Sequence, residues 1–359
     1  MEYDASDPRD PRRVIGVPGF GLVGPLAWAI AFLLPAVSTP PLARWLRGRG
    51  QVDRPDDRRN HRGAVPRGGG LTIAAGLIAG LIIAAVGLDL DSDPWWAAAI
   101  MIAALTALGA LDDRRDLGVI PRIAAQAAIA AGVLLVWDGV GVIPLGADWS
   151  VSWPVLLSIA ALVAFLWVIN LHNFMDGSDG LAAQQAICSG LAYSVIFSQA
   201  GPSLEMLVAG LLACTAAGFL IWNRPPARIF LGDSGSLLIG GVVAWLALRA
   251  LQTQAASLAL CVLISSVFVV DATATLVARL SRGERWYTPH RLHAFQRLID
   301  SGWTHAQVLR AYAAMNVMVV LPACALALTY SSIDLALSLA VIVALLIAWL
   351  WIQSGKNGE

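Results

Sequence analysis

"NLHNFMDGSDGLAA", Asn170 to Ala183, places two asparagines, a histidine and two aspartates between apolar runs at 151–168 and 180–199. Each run approaches the roughly 20 apolar residues that a helix needs to cross a bilayer. The polar stretch therefore reads as the connection between two membrane spans. Working outward, similar runs recur near 20–42, 69–88, 95–111, 122–137, 203–222, 235–252, 256–278, 307–329 and 333–352. The expected fold is an all-α polytopic membrane protein with ten to eleven transmembrane helices. Composition agrees: of 359 residues 58% are hydrophobic and only 13% charged, about half the charged share of a soluble domain.

The organisation expected is a polar N-terminal tail at 1–19, one transmembrane domain at 20–352 and a short tail at 353–359. The tail and first span offer no small-residue cleavage site, so the span reads as an uncleaved anchor. Net charge is zero, which gives no reason to expect a nucleic-acid partner. The charges are nonetheless unevenly placed. With eleven spans, one set of alternating loops carries nineteen Lys and Arg and the other four. The positive-inside rule puts the first set and the C-terminus in the cytoplasm and the N-terminus outside, although Arg9, Arg12 and Arg13 lie in the outer tail. Cys188, Cys214, Cys261 and Cys324 stand singly in apolar runs and suggest neither disulfides nor a metal knuckle.

The polar clusters all fall in the arginine-rich loops, so a one-sided site is expected, which favours an enzyme over a transporter with a midplane site. "DRPDDRRNHRGAVPRGGG", Asp53 to Gly70, is a basic loop whose glycines could bring backbone N–H groups to an anion at a helix start; it reads equally as a basic anchor. In "GALDDRRDLGVIPRIAAQ", Gly109 to Gln126, Asp112 and Asp113 end a span with Asp116 on the same helical face. Adjacent carboxylates there oppose the helix dipole and call for a cation. Asn170, Asn173, Asp176 and Asp179 recur every three residues, with Gly177 and Gly180 expected to break the helix and gather them. Such a hard-oxygen set suits Mg²⁺; His172, between the asparagines, reads as structural. Asp233, in "NRPPARIFLGDSGSLLIGG", is either a helix N-cap or a ligand, and the neighbouring loops favour the ligand. In "RLSRGERWYTPHRLHAFQRL", Arg279 to Leu298, His290 and His293 share a face with Arg291, Gln296 and Arg297, an arrangement suited to a diphosphate. Asp271, deep in the preceding span, is a functional candidate by its depth alone.

Taken together these motifs resemble the polyprenyl-phosphate N-acetylhexosamine-1-phosphate transferases, the superfamily that includes the phospho-N-acetylmuramoyl-pentapeptide transferases. The resemblance runs from about Asp53 to Tyr312 and rests on five motifs in order: Arg67-Gly68-Gly69-Gly70, Asp112-Asp113, the run from Asn170 to Gly180, Phe230 to Gly235, and Pro289-His290-Arg291-x-His293. It implies a membrane transferase that moves an N-acetylhexosamine 1-phosphate from a UDP-sugar to undecaprenyl phosphate and releases UMP. It also implies Mg²⁺, with Mn²⁺ as an alternate ion, held by Asn173 and Asp233. Catalytic roles are implied for Asp112, Asp113, Asp176, Asp179, His290, Arg291 and His293, and substrate binding is expected at Arg67, Gly68, Gly69, Arg122, Asn170, Asn223, Arg228 and Arg297. The H-R-x-H loop departs from the consecutive histidines of the pentapeptide branch and is closer to members that begin O-antigen or other surface polysaccharides. The implied setting is the bacterial inner membrane with the site facing the cytoplasm, and a second copy of the chain is a candidate partner. Two other classes compete, a UbiA-like Mg²⁺-dependent prenyltransferase with paired D-x-x-x-D motifs and a secondary transporter.

Overall fold

The computed structural model describes residues 20–53, 64–88, 94–145, 149–285 and 291–355. The N-terminal tail and His290 lie outside these residues. Among them, ten helices are long and apolar enough to cross a membrane, and the count reaches eleven if a bent pair is one span. The long helices are α1 (Phe20–Gly48), α2 (Gly70–Gly87), α3 (Trp95–Arg115), α4 (Val119–Val136), α5 (Pro154–Met175), α6 (Leu181–Ser198), α7 (Leu204–Asn223) and α8 (Asp233–Gln252). Near the C-terminus, α12 (His305–Met315) and α13 (Leu321–Thr329) join through a π-helical turn at Asn316–Val320 into one span, and α14 (Asp334–Ser354) is another. The bent pair is α9 (Leu258–Ile264) and α10 (Ser266–Ser281), which meet at 88°. The apolar run 256–278, expected as one straight span, is thus broken at Ser265. A carbonyl freed by the break, that of Ile264, accepts Gln185 Nε2 of α6 at 3.2 Å, which keeps a polar backbone group satisfied where water is absent.

Helix α8 is the buried centre, packed against α3, α5 and α2. Glycine makes this possible. A Cβ on Gly70 would lie 2.1 Å from Gly235 N, one on Gly109 2.2 Å from Asp233 O, and one on Gly241 2.1 Å from Leu105 Cδ1. Lipid tails are as apolar as leucine, so helices in a bilayer gain from close backbone contact through small residues rather than from hydrophobic burial.

Because α8 is seated this tightly, its N-terminus meets the C-terminal ends of α3 and α5, the start of α2 and the 224–232 loop at one end of the bundle. There the chain pairs Arg67 with Phe230 in a parallel bridge beside the small ribbon β1 (Val52–Asp53) and β2 (Val65–Pro66). A short helix, α11 (Ala294–Asp300), packs at the same end.

Candidate active site

Carboxylates from α3, from α8 and from the α5–α6 corner converge at this end of the bundle. Asp113, in the last turn of α3, has Oδ1 2.9 Å from the backbone N of Asp233 and Oδ2 3.1 Å from that of Ser234. It therefore caps α8 from another helix. The residue at the α8 cap position is Gly232, with φ +74°, where a Cβ would lie 2.7 Å from Asp113 Oδ2. With its helix start capped by Asp113, the Asp233 side chain is free for other partners. Its Oδ1 accepts Arg67 Nη2 at 2.8 Å and Asn173 Nδ2 at 2.8 Å. Arg67 also places Nε 2.8 Å from Asp113 Oδ1, and Asn173 is steadied by Ser236 Oγ at 3.0 Å.

Helix α5 ends at Met175, and Gly180, at φ +77°, turns the chain into α6. The Asp176 carboxylate at this corner makes no hydrogen bond or ion pair among the described residues; only its backbone N–H is engaged, with Asn173 O at 3.3 Å. Burial raises its carboxyl well above the usual range; Arg67 opposes this, while Asp233, Asp113 and Asp179 add to it. Burial tends to lower Arg67, but Asp233, Asp113 and Asp176 outweigh it and hold the guanidinium charged. One arginine thus faces a surplus of carboxylates. Asp179 is committed elsewhere: its Oδ2 accepts Ala227 N at 2.9 Å, and Asn223 Oδ1 accepts Gly180 N at 3.0 Å, locking the corner to the 224–232 loop.

Two cavities flank Arg67 and Asp53. One, about 330 Å³, is lined by Leu46, Leu71, Asp113 and Arg114. The other, about 270 Å³, is lined by Asp176, Asp179, Arg291, Gln296 and His305. Among the described residues no three His, Cys, Asp or Glu side chains form a closed metal cage. Asp233, Asp176 and the Asn173 amide instead offer a partial set of hard oxygen donors carrying excess negative charge. That set fits Mg²⁺, which keeps water and shares substrate phosphates.

The histidine loop is held by Asp271. This carboxylate accepts Ala294 N at 2.7 Å and Tyr312 Oη at 2.8 Å, so it caps α11 from within α10. His293, at the α11 N-cap, lies 3.6 Å from Asp271 Oδ1, and its ring stacks with Phe174 and Phe295 at centroid distances of 6.3 and 5.8 Å. Arg291 reaches the second cavity and pairs with Asp300 at 2.8 Å. Arg297 keeps a buried Nε with no hydrogen-bond partner among the described residues.

Other expected residues sit apart from this centre. Asp112 is buried, accepting Leu117 N at 2.7 Å and Arg122 Nη1 at 3.0 Å; it builds the α3–α4 turn. Asp116 is the left-handed residue that ends α3, at φ +48°, and does not share a helical face with its neighbours. Asn170 donates to Gln126 Oε1 at 2.7 Å, and Arg228 lies over the Trp222 ring. The N–H groups of Gly68 and Gly69 bond to Phe230 O, and that of Gly70 to Leu231 O. They hold a loop rather than offering an anion cradle. His305, not among the expected residues, has Nδ1 3.0 Å from Ser178 Oγ and lines the second cavity. No motif surrounds it to signal this.

The chain is similar to known proteins along most of its length. The family model for glycosyl transferase family 4 matches residues 95–251. The chain is 31% identical over 320 residues to a phospho-N-acetylmuramoyl-pentapeptide-transferase of Synechococcus sp. (strain JA-3-3Ab), covering 80% of this chain and 86% of the relative. It is 30% identical to a decaprenyl-phosphate N-acetylglucosaminephosphotransferase of Mycobacterium tuberculosis, covering 83% and 80%. It is 28% identical to an undecaprenyl-phosphate alpha-N-acetylglucosaminyl 1-phosphate transferase of Yersinia pestis, covering 72% of each.

Proposed function

From its membership of glycosyl transferase family 4, we propose that this chain moves an N-acetylhexosamine 1-phosphate from a UDP-sugar to undecaprenyl phosphate, releasing UMP. It is a multi-pass membrane transferase, and the names of its relatives give the transferred group as an N-acetylglucosamine 1-phosphate in some and a phospho-N-acetylmuramoyl-pentapeptide in others. The observation that carries the reading is the Arg67–Asp113–Asp233–Asn173 cluster between two cavities. A reaction between two phosphate-bearing substrates needs two approaches to one charged centre.

A lipid phosphate oxygen attacks the sugar-bearing β-phosphorus; a P–O bond forms there as the bond to the bridging oxygen breaks, and UMP leaves. A phosphate monoester has its second pKa at about 6 and is largely dianionic at neutral pH. No general base is demanded. The work is to hold two repelling anions in line. Mg²⁺, or Mn²⁺ in its place, held by Asn173 and Asp233 beside Asp176, would neutralise the diphosphate. Asp113 keeps Asp233 and Arg67 in position, and Asp112 does the same for Arg122. Arg291, with His290, takes the sugar nucleotide, the planar arginine fork suiting a phosphate, while His293, buried beside Asp271, holds the loop that presents them.

The H-R-x-H loop favours an N-acetylhexosamine without the peptide and a role in starting O-antigen or a similar surface polymer. The concentration of arginines in the loops around the site supports a cytoplasmic face in a bacterial inner membrane, where UDP-sugars are made. The asparagine-led run from Asn170 to Asp179 and the adjacent pair Asp112-Asp113 speak against the two D-x-x-x-D motifs of a prenyltransferase. The test is UMP release by purified protein with undecaprenyl phosphate, Mg²⁺ and a panel of UDP-N-acetylhexosamines. Lipid-dependent UMP from one donor, lost in EDTA and in Asp233→Asn, is expected. Silence across the panel overturns the reading.

A further inference from the structure

We propose that Arg67 is an exchangeable counter-cation: Mg²⁺ binding at Asp233 displaces the Nη end of its guanidinium, which turns about its contact with Asp113 and is presented to substrate phosphate. Asp233 Oδ1 already accepts two donors, Arg67 Nη2 and Asn173 Nδ2, each at 2.8 Å. A metal at that oxygen must displace one of them. The amide is neutral and carries an oxygen that can join the metal, whereas the guanidinium is repelled by a dication. Arg67 is also the partner with room to move. Its side chain is 35% exposed, against 7% for Asp113 and 15% for Asp233, and it lines both cavities.

The far end of the contact stays fixed. Asp113 is held by the backbone N–H groups of Asp233 and Ser234, so the Nε–Asp113 pair is a pivot rather than a second loose end. Gly232 leaves the stem space to turn, since a Cβ there would lie 3.0 Å from Arg67 Cγ. An arginine kept between carboxylates and released by the metal would be aimed at an anion only when the metal that neutralises that anion is in place.

This rests on the Mg²⁺ reading above, and the experiment separates the two. Full-length wild-type protein in detergent is treated with phenylglyoxal, which modifies uncommitted guanidinium groups, in Mg²⁺ and in EDTA. Labelling is read peptide by peptide, with exposed Arg115 as the reference. Arg67 is expected to react several-fold faster in Mg²⁺ while Arg115 is unchanged. In Arg67→Gln, the Mg²⁺ concentration for half-maximal thermal stabilisation is expected to fall about tenfold, because a neighbouring positive charge has been removed. Mg²⁺ that raises the wild-type melting temperature but leaves Arg67 labelling equal or slower overturns the exchange and keeps the metal site. Mg²⁺ that changes neither overturns both. The labelling arm uses wild-type protein and decides the matter even if Arg67→Gln does not fold.

Discussion

Asp113 and Asp233 belong to different helices, yet Asp113 Oδ1 accepts the backbone N–H of Asp233 at 2.9 Å, and Oδ2 accepts that of Ser234 at 3.1 Å. A carboxylate at a helix N-terminus satisfies orphan donors and meets the positive end of the dipole. Loss of an N-cap costs about 0.5–2 kcal/mol. Asp113→Ala is expected to lower both activity and melting temperature in detergent, and Asp113→Asn to do the same by turning an amide N–H towards a backbone N–H. A carboxylate acting only as a base would lose activity with its melting temperature intact, so thermal unfolding of the two variants separates the roles.

The glycine contacts around α8 make a second prediction. Gly70→Ala forces a methyl group to within 2.1 Å of Gly235 N, backbone against backbone. Overpacking a rigid contact costs about 1–3 kcal/mol, and here neither partner is a flexible side chain. Gly132 in α4 has nothing within 4 Å of its Cβ position, and Gly→Ala in a helix gains up to about 1 kcal/mol. Melting curves should show Gly70→Ala strongly destabilised and Gly132→Ala unchanged or improved. Equal melting temperatures for the two would mean that α2 and α8 are not seated as closely as this.

The spans and the end of the bundle that holds the site were legible because a bilayer dictates length and hydropathy locally. The run from Asn170 to Asp179 was legible for a related reason, since polar side chains beside a span are costly without a role. The pairing of Asp113 with α8 was not, because a cap supplied from 120 residues away leaves no period in the sequence. Nor was the bend at Ser265, where hydropathy is continuous and the carbonyl that the break frees, Ile264 O, is met by Gln185 from another helix. Gly68 and Gly69 illustrate the converse. A glycine run shows that backbone can come close, but not whether an anion or, as here, Phe230 O takes the N–H groups.

Asp271 predicts how the histidine loop fails. Its carboxylate ties Tyr312 Oη and Ala294 N to one buried point. A hydrogen bond to a charged group is worth about 1.5–3 kcal/mol. Tyr312→Phe is expected to cost stability in that range and to speed amide hydrogen exchange in α11 while exchange in α8 stays as in wild type. Uniform acceleration across the bundle would show that Asp271 supports the whole fold rather than this loop.

Asp176 carries a pH dependence whose sign follows from its burial and its carboxylate neighbours. Its folded carboxyl titrates well above the ordinary value, so the folded state holds the proton more tightly than the unfolded chain. Below the unfolded pKa of about 3.9 both states are protonated and there is no penalty. As pH rises from there through the folded pKa, ionisation proceeds further in the unfolded chain and stability is lost. Asp176→Asn removes the penalty. In EDTA at neutral pH the variant is therefore expected to melt above wild type, with the gap closing as the pH falls towards 4. Mg²⁺ should narrow the neutral-pH gap by raising wild type more than the variant. A variant that melts below wild type at neutral pH in EDTA would mean that Asp176 is stabilised by a partner as an anion, and that the site has no charge surplus for a metal to answer.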